Sequence, residues 1–484
     1  METLQRLHNR GSISTDTGYN IDNSLKLDSA NSEYLYIHRD ATGSDWNRLK
    51  WTASMWVKHM PTESSATAPK ERMFGAADAN SDFDIRFRGQ PIGFRNNSDE
   101  DGVAELRTTA VYRDYSAWYH IVAVWDTANA TAGNRMRLYV NGEEVTDFST
   151  DTQPSQNEKS IWGKKNDGTD GNVAHTIGAY YNASSGFAQG FNGYMAEVHW
   201  VEGQALAPSD FGETDSDTGI WIPKEYSGSH GTNGFYLDFS NSSSLGADAS
   251  GNSNNWSLNN ISAADQATDT PTNNFCTLNP LMANAGPSNY LPLTEGGTKA
   301  VNDAAAYKIA NSTIGVSNGK WYWEVKATDV NGVTAIGVTM PYYWDADYTL
   351  QGCIYYGQTG QRYNNASASS FGNTYTDGDI ISFALDMDAT PPTMTVYKNN
   401  SSEGNLMSGL SINGAGAAFL PEKEDGYFPK VVGYNANTFE CNFGGYTSFS
   451  ISSGASDENG YGTFEYAPPS GYYALCTKNL AEFG

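Results

Sequence analysis

The sequence predicts an all-β chain of two antiparallel β-sandwich (jelly-roll) modules joined by a polar linker. Three observations predict it. Apolar residues recur in short runs with period two, and no segment sustains a helical period. Gly, Asn and Asp separate those runs at regular spacing, as tight turns require. The chain holds 30 Tyr, 20 Phe and 12 Trp but only 17% charged residues, a composition of strands and turns. At 484 residues it has room for roughly two to four domains.

Residues 1–19 are polar and without clear period, a flexible arm or an attachment segment. The first module is expected over residues 20–258. Leu25, Leu27 and the run Tyr34-Leu35-Tyr36-Ile37 open it, and Trp51–Lys58 alternates large apolar groups with small ones. Tyr119–Trp125 is almost continuously apolar, as a buried sandwich strand should be. Arg135–Val140 runs into Asn141-Gly142, a dipeptide that accepts positive φ at both centres of a type I′ hairpin. Gly193–Val201 is a further strand, and Phe235, Leu237 and Phe239 alternate. Residues 259–275, with Pro271, read as the polar linker. The second module follows over 276–484, where Trp321, Trp323 and Val325 share one face of a strand and Tyr322, Glu324 and Lys326 the other. Ile380–Leu385 and Met394–Tyr397 are strands joined by a bend with Pro391-Pro392, and Asn399-Asn400 makes the next turn.

Composition supports that boundary. All seven His lie at or before His230, all four Cys at or after Cys276, and Arg362 is the one Arg beyond residue 258. Charge is spread evenly: residues 1–258 carry 20 basic and 34 acidic groups, residues 259–484 carry 9 and 21, for a total of -26. Such a surface does not suit phosphate backbones or anionic membranes. No run approaches the ~18 apolar residues of a membrane span, and the N-terminal stretch lacks the apolar core of a secretory signal. Cys276, Cys353, Cys441 and Cys476 have no metal-ligand spacing and read as buried thiols, with a Cys276–Cys476 bridge as the alternative.

The motifs carry family resemblances. "WTASMWVK", "WYHIVAVWD", "NRMRLYVNGEEV", "HTIGAY" and "FNGYMAEVHWVEGQALAPSDFGE" together resemble a laminin-G or concanavalin A-like jelly roll. "GKWYWEV", "IGV", "GDIISFALD", "MTVYKNN" and "YFPKVV" closely resemble a SPRY (B30.2-like) domain, whose members bind partners through variable loops. The segment "NPLMANAGPSNYLPLTEGG" and the tail "GTFEYAPPSGYYALCTKNLAEFG" depart from that family. The whole layout, with "DTPTNNFCTLNPL" and "PPSGYYALCTKNL", is similar to virion appendage proteins of tailed phages of marine type. That resemblance implies a tail fibre or receptor-binding adhesin made in the host cytoplasm and displayed on the virion. Its partners would be other virion proteins and a host-surface glycan or protein, and it would form a homo-oligomer, a trimer by analogy. A capsid or tail decoration or connector protein is the alternative, and a glycan-degrading enzyme a weaker one.

Catalytic groups are not apparent. Jelly-roll glucanases align carboxylates at alternate positions of one strand, whereas Glu197 and Glu202 are placed to face opposite sides. Asp99-Glu100-Asp101 reads as a solvated turn, and His120 as a satisfied strand residue. Neither a nucleophile elbow nor a metalloprotease or Walker motif occurs. Binding is the better expectation. Tyr342, Tyr343 and Trp344 sit between strands, and Tyr355, Tyr356 and Tyr363 lie near Arg362, a set able to stack on a sugar or meet an anion. No cofactor is required. Calcium is left open by Asp248-Ala-Ser-Gly-Asn252, which resembles a calcium-associated turn of jelly rolls; Asp248 and Asn252 offer two oxygens, and an ordinary Asx turn offers the same pattern.

Overall fold

The computed structural model describes residues 18–38, 46–60, 70–78, 80–98, 101–165, 173–182, 186–281, 291–339, 352–364, 367–408 and 426–484. The chain divides into two compact units that meet between Thr272 and Asn273. Both are built of antiparallel sheets, and the one α-helix among the described residues is Thr477–Phe483.

In the first unit, the first sheet runs in the order Glu143–Glu144, Met136–Val140, Tyr119–Asp126, Lys50–His59, Gly193–Glu202, Ser24–Leu27 and Gln266–Ala267. The second sheet runs Phe148–Thr152, Gly102–Thr108, Ile92–Ser98, Asp82–Arg88, Lys70–Ala77, Ala174–Ile177, Tyr34–His38 and Ser257–Asn259. Period-two alternation sends Leu25, Trp51, Met55, Trp125 and Trp200 from one sheet against Phe74, Phe83, Ile85 and Phe94 from the other, making one apolar core. Asn141 and Gly142 take φ of 49° and 84°, the conformation expected of the hairpin turn. Glycine is needed at the second place for space as well, since a Cβ there would lie 2.5 Å from the Trp221 ring.

The expected linker is a correction. Residues 259–272 belong to the first unit: Gln266–Ala267 pairs with Ser24–Leu27, and Asp269 is fully buried. Its carboxylate accepts from Lys58 Nζ at 2.7 Å and Trp118 Nε1 at 3.0 Å. A polar composition therefore marks a segment that seals a polar sheet face. The remaining residues of that stretch belong to the second unit, where Phe275 bridges Cys476 through the backbone.

In the second unit, one sheet joins Leu278–Asn279, Tyr307–Ser312, Phe428–Tyr434, Val333–Thr339, Cys353–Tyr356, Gln361–Asn364 and Ser367–Ser370. The other joins Leu293–Thr294, Lys299–Asn302, Asn437–Asn442, Lys320–Val330, Ile380–Asp386, Thr393–Lys398 and Ser401–Asn405. Trp321, Trp323 and Val325 face the core, as their spacing predicts. The opposite face is buried too. Glu324 accepts from the amides of Glu465 (2.9 Å) and Tyr466 (2.8 Å), from Tyr322 Oη (3.0 Å) and from Asn442 Nδ2 (3.1 Å). The four cysteines are free buried thiols, so Cys276 and Cys476 are not bridged.

Candidate functional site

Of the residues singled out in the sequence, Tyr342, Tyr343 and Trp344 lie outside the described residues. The remaining four are divided between two sides of one sheet. Tyr355 points inward and is fully buried, edge-on to Phe371 at 5.3 Å, with its hydroxyl donating to Asn373 O. It is a core residue and offers no ring face to a ligand. Arg362 pairs with Tyr355 across the strands, and its Nη1 donates to Leu406 O (3.0 Å) and Ser408 O (2.7 Å). Tyr356 and Tyr363 are on the other side, half-buried and 5.5 Å apart, edge to face. An Arg362–tyrosine cluster is therefore not formed.

Asp248 holds a turn. Its Oδ1 accepts from the amides of Tyr236 and Ser250, both at 2.9 Å, and Oδ2 from that of Asn254 at 2.8 Å. Asn252 donates through Nδ2 to Gly231 O (2.7 Å) and Gly234 O (2.9 Å). This is the Asx-turn alternative in full geometry.

The outward face of the first sheet is sealed. Near one end Phe211, Leu206 and Tyr226 pack on Val122, Val124 and Val201. His120 is sandwiched there: Trp221 Nε1 donates to its Nδ1 at 2.9 Å, so Nε2 carries the proton toward Ser54 Oγ at 2.8 Å. Burial, with the nearby His199, lowers His120 to about 3. A β-bulge between Ala196 and His199 puts Glu197 at φ 49° and turns it onto this face. There it accepts from Tyr19 Oη and Tyr236 Oη, both at 2.6 Å, and lies 3.5 Å from His199 Nε2. Burial alone would raise Glu197, but its contacts with His199 and the two hydroxyls outweigh this and hold it below the usual range. His199 Nδ1 meets His230 Nε2 at 3.0 Å, and burial lowers His230 to about 4. Toward the other end Lys26 pairs with Glu33 and Asp265, each at 2.8 Å, and Lys58 with Asp269. Glu202 is on the core side with Trp51, so the two glutamates do face opposite ways.

The outward face of the second sheet differs. Register places Lys70, Arg72, Arg86, Arg88, Arg95 and Arg107 on it, beside the carboxylates of Asp82, Asp84 and Glu105. Asp84 is shared between Arg72 (3.0 Å) and Arg86, and Glu105 between Arg86 (3.2 Å) and Arg107 (2.8 Å). The Arg72 guanidinium lies 3.5 Å from the centre of the Tyr180 ring. On the same face Tyr34 stacks on Phe187 at 4.2 Å, with Tyr36 and Tyr181 around them. A cavity of about 330 Å³ opens there, lined by Tyr34, Lys70, Phe187 and Asn192 and by two carboxylates that already have partners, Glu33 with Lys26 and Glu71 with His59 and Asn192. Cations beside stacked aromatics can hold an anionic, ring-bearing ligand. The pattern was visible in "DFDIRFR", where Asp82, Asp84, Arg86 and Arg88 alternate with Phe83, Ile85 and Phe87.

The chain carries a concanavalin A-like domain and a SPRY domain. The family model of the concanavalin A-like lectin/glucanases superfamily matches residues 29–210, and that of the SPRY domain matches residues 320–446. The stretch from Glu465 to Phe483, with its buried Ala474, Leu475 and Cys476, thus lies beyond the SPRY match. No curated protein matches the chain by sequence. Among solved structures, the SPRY domain of human HERC1 is similar at 20% identity, covering 31% of this chain and 90% of that one, with a TM-score of 0.24. A heptameric SAP-like pentraxin from Limulus polyphemus is similar at 12% identity, 39% and 80% coverage and TM-score 0.25. The CBM40 of a Ruminococcus gnavus IT-sialidase, solved with α2,6-sialyllactose, is similar at 13% identity, 39% and 94% coverage and TM-score 0.27.

Proposed function

We propose that this chain is a non-catalytic structural protein of a tailed-phage virion, a tail fibre or receptor-binding adhesin that recognises a host-surface glycan or protein. The carrying observation is the cation-lined face of the first unit with its aromatic ledge and cavity, set in a lectin-type sandwich. A non-catalytic role is supported by the placement of Glu197 and Glu202 on opposite sides of their strand, so these two do not face each other across a cleft. Oligomerisation on the particle would multiply weak contacts, which suits an adhesin. Calcium is no part of this reading, because backbone amides already occupy both Asp248 oxygens.

Antibody raised against the purified chain, applied to phage particles under the electron microscope, tests the assignment. Labelling at the tail, together with binding of the purified protein to host cells, is expected. Labelling of the capsid shell and no cell binding would make it a decoration protein. Shortened chains after incubation with host polysaccharide would make it an enzyme.

A further inference from the structure

Two cations on the second sheet stand out by register. Lys70 is directly opposite Arg88 on the neighbouring strand, and Arg72 is directly opposite Arg86. Like charges in such pairs, roughly 5 Å apart at Cβ, destabilise a sheet. Arg72 and Arg86 are relieved by Asp84, which meets both. Neither Lys70 nor Arg88 makes an ion pair among the described residues; Asp84 acts on Lys70 without contact and is outweighed by Arg86 and Arg72, and Arg88 is exposed. Moreover Nε and Nη1 of Arg72 and Nε of Arg86, in side chains 2% exposed, make no hydrogen bond among the described residues. A surplus of cations in a chain of net charge -26 is a local device, since the molecule as a whole repels anions.

We propose that this face binds a carboxylate-bearing polysaccharide of the polyuronate class, with a carboxylate held between Lys70 and Arg88 and a sugar ring at the adjoining cavity. The proposal rests on the reading of the first unit as a glycan-binding module and names its ligand class. Lys70 belongs to both parts, being a member of the cation pair and a wall of the cavity. The cavity, about 330 Å³, is of a size that takes small ligands. The Phe187 ring, stacked on Tyr34, supplies an apolar surface for a sugar face, and Gln189 and Asn192 flank it with amides. Planar guanidinium groups match planar carboxylates in two parallel hydrogen bonds, which favours uronates over neutral sugars. The ordinary pull on Lys70 agrees with this geometry: burial, then Arg86 and Arg72, push its amine below the usual value.

The experiment is calorimetric titration of the full chain with polygalacturonate oligomers and with the same oligomers methyl-esterified. Binding of the acid form is expected, weakening with salt and lost on esterification. Lys70→Ala and Arg88→Ala should each weaken it about tenfold, the loss of one charge-assisted contact, while Tyr363→Ala leaves it unchanged. Arg88 is exposed and Lys70 half-buried at the cavity wall, and an unaltered melting curve shows that folding is kept. Equal binding of acid and ester, unmoved by either substitution, would overturn the uronate assignment and leave a glycan module standing. Binding of neither, with self-association that Arg88→Ala abolishes, would overturn both by giving the face to an acidic surface of a second copy.

Discussion

The two outward faces of the first unit carry similar chemistry to opposite ends. On the first sheet each buried cation has a carboxylate of its own, Lys58 with Asp269 and Lys26 with Glu33 and Asp265, and chain segments returning over the sheet exclude water. On the second sheet cations outnumber carboxylates, and the Lys70–Arg88 pair is left without one. The difference teaches that polar residues on a sheet face do not by themselves mark a binding surface. Stoichiometry of charge and the return path of the chain decide between a seal and a site. The second unit repeats the sealed case around an anion: its Glu324 carboxylate is satisfied by backbone and side-chain donors, with Lys326 on the same face lying over the Phe449 ring.

The contrast can be broken most forcefully at the seal. Asp269→Ala takes a carboxylate from the buried Lys58 ammonium and the acceptor from Trp118 and should cost about 3–5 kcal/mol, read as a lower denaturant midpoint for the first unit. Glu324→Ala orphans several donors at once and should cost about 3 kcal/mol in the second unit, with the first unit's transition unmoved. A smaller effect is expected from pH. His230 falls from 6.5 to about 4 on folding. The unfolded chain therefore takes up a proton in that window that the folded unit refuses, and stability declines as pH drops from about 6.5 to 4. His230→Gln should lessen that decline in melting curves taken across the window, the remainder coming from His120, which is lowered to about 3. Smallest of all, Arg88→Ala on the open face should change stability by less than about 0.5 kcal/mol. A large loss there would mean that the face is structural.

Much of the fold was legible because alternation is local. Trp321, Trp323 and Val325, the Asn141-Gly142 turn and the buried His120 all follow from spacing and residue type. Covering segments are not local, so Glu324 and Lys58 look solvent-bound in sequence although strands and loops more than a hundred residues away bury them. Residues 259–272 read as a linker for the same reason: the polarity that suggests one is what a segment needs to neutralise a polar face. Glu197 depends on a bulge that shifts register by an extra residue, which period-two counting cannot foresee. Tyr355 and Arg362 are near in sequence to Tyr356 and Tyr363, yet strand alternation sends them inward. The cation face was within reach of the sequence, and the signal lay in following alternation through charged residues as well as apolar ones.

Amine reactivity tests the central contrast most directly. The folded chain, treated with a lysine acylating reagent and mapped by mass spectrometry, should be modified at Lys70 and untouched at Lys26 and Lys58, which are 1% and 0% exposed. Polygalacturonate added beforehand should protect Lys70. Equal modification of all three lysines, or a Lys70 that the polymer does not protect, would contradict the division into a sealed face and a binding face.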